Sequence, residues 1–274
     1  MQDFMLKNIY FACKTKKHLH NPTKYATFAI ETFLEDTFGH KLMKKKEENY
    51  AQMWELNPIW DILTDDEKAW GSEQVEVVSY KKNELIHSEG DRATDMWMLI
   101  SGRVRIYKEG IGQRAQIIRL LKPYDMFGYR AVIGEDRFTS CASAFEPCTT
   151  YRVPANVFLT LLRQNSEFCY QVMVAMARDL AVAELQTINL TQKHIRGRLA
   201  ESLLTLKNNY GFDEDGCTLS MYMSREDLAN MSNMTTSNAI RTLSQFAQEG
   251  LISVDGRKIK LLNEEEIKKI SRLG

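Results

Sequence analysis

Thr235, Thr236, Ser237, Asn238 and Arg241 follow one another as a hydrogen-bonding cluster at what reads as a helix start. An arginine can pair through two parallel N–H groups with guanine O6 and N7, and an asparagine can pair with adenine N6 and N7. Such residues can read base edges if they occupy the N-terminal end of a helix laid in a major groove. Shortly after them come Arg257 and Lys258, cations of the kind that meet phosphate oxygens. A second constellation lies in DMFGYRAVIGEDRFTSCASA, Asp125 to Ala144. Here Phe127, Gly128, Tyr129, Arg130, Phe138, Thr139 and Ser140 bring together one loop cation, hydroxyls and aromatic rings, a set that can hold a small anion. A second reading stays open, in which Arg130 points outward and pairs with Glu135 or Asp136.

These side chains work only if the chain between them folds in a particular way. Ser224 with Asp227 has the spacing of a capping box, so Ser224 should open a short helix carrying Leu228, Ala229 and Met231, and Ser224 and Arg225 at its start are further candidate DNA contacts. SNMTT makes a tight turn and Thr235 caps the next helix. On that helix Ala239, Ile240, Leu243, Phe246 and Ala247 are expected inward, and Ser237, Asn238, Arg241, Gln245 and Gln248 outward. Gly250 ends it, and LISVDGRKIKLL is a hairpin turning at Asp255 and Gly256, with Arg257, Lys258 and Lys260 at its tip. The pattern is a helix-turn-helix followed by a basic wing.

Upstream, Val75 to Val153 contains short β-rich runs separated by turn signals, the signature of an antiparallel barrel or sandwich. In RVRIY, Val104 and Ile106 share one face while Arg103, Arg105 and Tyr107 share the other, so one side of that sheet is a core. After Pro154 the period becomes helical. Cys169, Met173, Met176, Leu180, Ala183, Thr187 and Leu190 recur at steps of three and four, a seam that needs a partner helix and predicts a parallel homodimer. Phe168, Val172, Ala175 and Val182 form a second stripe for packing on the strands.

The whole chain, 274 residues with 44% hydrophobic and 26% charged, predicts an α+β protein: an N-terminal antiparallel jelly-roll barrel, a long dimerisation helix and a C-terminal winged helix-turn-helix. The expected boundaries are 43–164 for the barrel, 165–193 for the helix and hinge, and 194–274 for the winged unit. Residues 1–42 show no clear period, and Met43 begins a stretch that reads as an ordinary protein start, so 1–42 read as a doubtful extension, either outside the native protein or a loosely folded arm of it. Lys plus Arg equals Asp plus Glu, 36 each, so any nucleic-acid affinity must come from local patterning. Five cysteines without a C-x-x-C pair argue against a disulfide framework or zinc knuckle. No membrane span or signal peptide is read, and a cytoplasmic location is expected. A metal-dependent barrel enzyme would need converging histidines; the barrel segment contains His87 alone, and the H-x-H of His18 and His20 lies in the extension. No enzymatic activity and no metal are expected.

With barrel, seam helix and winged helix-turn-helix in this order, the chain resembles the Crp/Fnr family of bacterial transcription regulators from about residue 54 to 262. EGDRATDMWMLISGRVRIY, DMFGYRAV, MARDL and SREDLANMSNMTTSNAIRTL carry the resemblance. It implies a regulator that binds double-stranded DNA at a palindromic operator and contacts RNA polymerase. In cAMP-binding members the pocket loop supplies a glutamate to the ribose and an arginine with a serine to the cyclic phosphate. The matching positions here hold Tyr129, Phe138 and Thr139, and where those members set a Thr-Ser pair against adenine this chain has Ala183 and Glu184. An effector other than cAMP, or none, is therefore expected. The iron–sulfur sensor's N-terminal cysteine cluster has no counterpart, since Cys13 stands alone. Haem-sensing relatives leave His87, His194, Met173 and Met176 as candidate ligands. On the recognition helix only Arg241 carries over directly, so the operator sequence should differ from the better-known ones.

Overall fold

The structure, a computed structural model, describes residues 57–110, 115–134 and 136–273. The expected extension 1–42 and the start at Met43 lie outside the described residues, as does Glu135. Two short helices open the described chain, α1 (Pro58–Asp61) and α2 (Asp65–Ser72). Asn57 caps the first, and Thr64 with Glu67 closes a capping box on the second. Trp60 is fully buried, 5.1 Å from Phe168 and 6.1 Å from Phe158, and so anchors this segment to the helices that follow the strands.

Eight strands follow: β1 (Glu76–Tyr80), β2 (Leu85–His87), β3 (Asp95–Ser101), β4 (Val104–Glu109), β5 (Ala115–Leu121), β6 (Met126–Phe127), β7 (Cys141–Ala144) and β8 (Cys148–Pro154). They form two four-stranded antiparallel sheets, ordered β1-β8-β3-β6 and β2-β7-β4-β5. This is the double-sheet order of a jelly roll. A core between the sheets joins Trp97, Leu99 and Phe127 of one to Val104, Ile106, Leu121, Ala142 and Ala144 of the other. The alternation read in RVRIY holds, with Val104 and Ile106 buried and Arg105 and Tyr107 half-buried. A short helix α3 (Tyr129–Ile133) follows β6.

After the strands come α4 (Ala155–Gln164) and the long helix α5 (Ser166–Gln192). Asn165 starts α5 by accepting the Phe168 N–H at 2.9 Å and donates its own amide to Glu67. Phe168 and Val172 of the second stripe are buried, but Val182 is half exposed. That stripe drifts outward because a straight helix turns every 3.6 residues, not 3.5.

The C-terminal unit comprises α6 (Ile195–Tyr210), α7 (Arg225–Met231), α8 (Thr236–Gln248), the hairpin β9 (Ile252–Asp255) and β10 (Lys258–Leu261), and α9 (Glu264–Leu273). Leu199, Leu203, Leu228, Leu243, Phe246, Ile259 and Ile267 form its core. The last helix was not expected from the sequence. Its signals are three glutamates in the first turn, Asn263 accepting the Glu266 N–H, and Ile267 and Ile270 at a three-residue step. The outer face of β4 meets this unit. Arg105 donates to Ser143 at 2.9 Å and to the capping-box residue Asp227 at 3.4 Å, and Arg103 lies over the Tyr210 ring at 5.1 Å. Ile117 and Phe145 of the jelly roll join the core of the winged unit.

Candidate nucleic-acid interface and effector loop

Ser224 accepts the Asp227 N–H and Asp227 reciprocates, so the capping box that starts α7 is present. Ser224 and Arg225 both serve the fold. Arg225 donates Nη2 to the Gly256 carbonyl at 2.7 Å and thereby ties α7 to the turn of the hairpin. Thr235 caps α8 through the Asn238 N–H. Thr236, Ser237 and Arg241 are exposed, Asn238 is half-buried, and Arg241 donates to Asn238 Oδ1 at 2.9 Å. The two candidate base readers are thus held side by side before any ligand arrives.

The inward face of α8 differs from expectation at two positions. Ala239, Leu243 and Phe246 are buried, but Ile240 is 47% exposed and Ala247 is exposed, while Thr242 is buried in their place. Rotation by 100° per residue sets Ile240 about 100° from Ala239, off the packed arc that Thr242 shares with Ala239 and Phe246. The hairpin turns through Gly256 and Arg257, with Gly256 at φ +55°. Arg257 and Lys258 are exposed at its tip, and Lys260 pairs with Asp215 at 3.0 Å.

In the jelly roll, the loop residues separate into two groups. Phe127 and Phe138 are buried in an aromatic stack: His87 lies 3.8 Å from Phe138 and 5.3 Å from Trp97, and Trp97 lies 5.4 Å from Phe127, measured between ring centres. Gly128 sits at φ +81°, where an added Cβ would meet the Trp97 ring at 3.0 Å; glycine alone both takes this conformation and leaves the indole its place. Tyr129 is buried, yet its hydroxyl reaches out to Asp179 of α5 at 2.7 Å, and Arg119 of β5 meets the same carboxylate oxygen at 2.6 Å. Burial and the Asp179 carboxylate push the Tyr129 phenol up, so it remains a donor. Arg130 and Thr139 are exposed and Ser140 is half-buried. The Thr139 carbonyl accepts from Lys108 at 3.3 Å. The residues present do not fit a cyclic phosphate: the position expected to carry its cation is Phe138, packed face-on against His87. Asp179, Arg119 and Trp97 were not singled out from the sequence; a lone acid between Met176 and Leu180 on an apolar stripe was the available signal.

Along α5, Met173 and Leu180 of the seam are strongly exposed, at 54% and 61%, and Ala183 and Thr187 are exposed as well. Cys169, Met176 and Leu190 are half-buried. Tyr170, Leu185 and Ile188, outside the expected seam, are exposed apolar side chains on other sides of the same helix.

His87 gives the jelly roll a pH dependence. Burial pushes its pKa down from the usual 6.5 to about 4. Between those values the unfolded chain holds the extra proton, so stability is full above pH 6.5 and is lost as pH falls towards 4, by about 3 kcal/mol in all. Urea unfolding at pH 7 and pH 4.5 should show this loss in the wild type and a smaller one in His87→Phe, which keeps the stack without the titration. Equal losses in both would remove His87 as the cause.

Residues 77–165 match the cyclic nucleotide-binding domain and residues 197–270 match the Crp-like helix-turn-helix domain. The chain belongs to the Crp/Fnr family. A CRP-like cAMP-activated global transcriptional regulator of Mycobacterium tuberculosis is 21% identical over 73% of this chain and 90% of its own length. The fumarate and nitrate reduction regulatory protein of Vibrio cholerae is 24% identical over 70% and 76%. Among solved structures, FixK2 from Bradyrhizobium japonicum superposes with a TM-score of 0.65 at 24% identity, covering 72% of this chain and 96% of that one. A Crp/Fnr-family regulator from Eubacterium rectale gives 0.66 at 20%, covering 78% and 98%. The structural likeness carries the fold. This Crp/Fnr protein shares the domain order of its relatives and lacks, among the described residues, any helix long and apolar enough to cross a membrane.

Proposed function

We propose that this Crp/Fnr protein is a homodimeric transcription regulator that reads a palindromic operator in the cytoplasm. The observation that carries the reading is the exposed N-terminal half of α8, where Thr236, Ser237 and Arg241 are open to solvent and Arg241 donates to the half-buried Asn238. Thr235 positions that end, and the exposed Arg257 and Lys258 flank it with charge for phosphate. Met173 and Leu180, with Cys169, Met176, Ala183, Thr187 and Leu190 along the same helix, supply the surface for a second copy. Two copies would set their recognition helices about 34 Å apart, one DNA turn. The protein acts by binding, and RNA polymerase is the partner through which binding changes transcription. Selection of sites from random duplex DNA tests this directly: a palindrome with half-sites about ten base pairs apart is expected, and no enrichment would refute it.

The loop Phe127, Gly128, Tyr129, Arg130, Phe138, Thr139 and Ser140 is proposed to sense an effector other than cAMP, through the exposed Arg130 and Thr139. Tyr129 would carry the signal, since its hydroxyl grips Asp179 on the dimer helix. A second reading, effector-independent regulation, is favoured by the aromatic stack of His87, Trp97, Phe127 and Phe138, which gives this region a core of its own. His87 as a haem ligand would have to leave that stack. Thermal unfolding against cyclic nucleotides, anionic metabolites and haem separates the readings. A ligand at 100 times its Kd stabilises by about 2.7 kcal/mol, and no shift with any of them supports the scaffold.

A further inference from the structure

Ile240 is a branched apolar side chain left 47% exposed on a helix whose packed face is Ala239, Thr242, Leu243 and Phe246. Its neighbours on the open face, one turn before and after, are the exposed Thr236 and Ser244, and the next residue is Arg241. The Ser244 hydroxyl is bonded to the Ile240 carbonyl at 3.0 Å, so it folds back on the helix beside the isoleucine. Ile240 therefore stands on the flank of the face proposed to enter the major groove, beside Arg241, with about half of its surface left open to a ligand. An aliphatic side chain cannot pair with any donor or acceptor on a base edge. The one apolar feature the major groove offers is the C5-methyl group of thymine.

We infer that Ile240 is a specificity-determining residue that selects a thymine by its methyl group, beside the guanine taken by Arg241. The inference rests on the DNA-reading function proposed above. It gives each half-site a thymine whose value lies in one methyl, not in a hydrogen bond. Cytosine, which lacks the methyl and presents a donor to an aliphatic surface, would be excluded there.

The test begins with the operator selected by the full chain. Replacing each half-site thymine in turn by deoxyuridine deletes the methyl and leaves every hydrogen-bonding group in place. At one position the wild type should lose about fourfold in affinity per half-site, the worth of one buried methyl. Ile240→Ser should bind thymine and uracil there equally, while Ile240→Val keeps most of the discrimination. Ile240 is exposed, so unchanged thermal unfolding of both variants is expected. An operator whose thymines all tolerate uracil overturns the inference and leaves the DNA-reading function standing. Undiminished methyl dependence in Ile240→Ser also overturns it, because another residue then reads the methyl. Failure to enrich any operator refutes the function itself and the inference with it.

Discussion

Leu180→Glu is expected to turn the protein into a folded monomer that no longer holds its operator. Leu180 is 61% exposed in the single chain, so the substitution costs the isolated fold within about 0.5 kcal/mol. Across a two-fold axis the same position would meet its own copy or near neighbours, and two carboxylates would replace two apolar side chains there. Each leucine buried in such an interface is worth about 1.5–3 kcal/mol, and the two unpaired charges add a desolvation penalty. Without the dimer, one recognition helix must bind alone. Affinity should fall from the about 10⁻⁸–10⁻¹¹ M typical of specific complexes to the about 10⁻⁴–10⁻⁶ M of non-specific ones. Light scattering after gel filtration reads the mass and fluorescence anisotropy reads the binding. A variant that stays dimeric and binds as the wild type would remove this face of α5 from the interface.

Arg241→Ala should leave both fold and dimer intact and still cost operator binding heavily. Arg241 is exposed, and in the free protein its guanidinium is engaged by Asn238 alone among the described hydrogen bonds. A bidentate arginine–guanine pair discriminates by about 1–3 kcal/mol, and two half-sites double that to about 2–6 kcal/mol. The Kd should therefore rise from about 30-fold to about 10⁴-fold. The loss is specific: changing the guanine that Arg241 reads should hurt the wild type and leave the variant indifferent. Loss of Arg257 or Lys258 should differ in kind, weakening all sequences alike and reducing the salt dependence by about one unit per cation. Equal affinity of Arg241→Ala and wild type for the selected site would contradict its place in base reading.

Much of this architecture was legible before any coordinates. Val104 and Ile106 alternating with Arg105 and Tyr107, the Ser224–Asp227 capping box, Thr235 ahead of α8 and Gly256 in the hairpin turn are local rules. Their causes lie within a few residues: side-chain period, an orphan N–H that needs an acceptor, a backbone angle open to glycine. The same local logic placed Arg241 and the tip cations Arg257 and Lys258 on the solvent side, whereas Asn238 is half-buried and accepts from the Arg241 guanidinium.

Where function turns on residues far apart in the chain, the tertiary structure decided. Phe138 stacks on His87 and lies tilted against Trp97, and Tyr129 turns to Asp179, because β2, β3, β6 and the 138 loop converge while α5 crosses outside them. No spacing encodes a pair separated by fifty residues. Ile240 looked apolar and therefore inward, but the core beneath α8 was already filled by Ala239, Thr242, Leu243 and Phe246. Arg225, chosen as a DNA contact, spends one guanidinium nitrogen on the Gly256 carbonyl. Arg105 and Tyr107 face outward from their own sheet and yet meet the winged unit, which only the fold brings to them. Sequence period determines which face of an element is apolar. Which neighbour covers that face, and which side chain is left over for a ligand, depends on how the elements share a finite core, and that is settled only by packing.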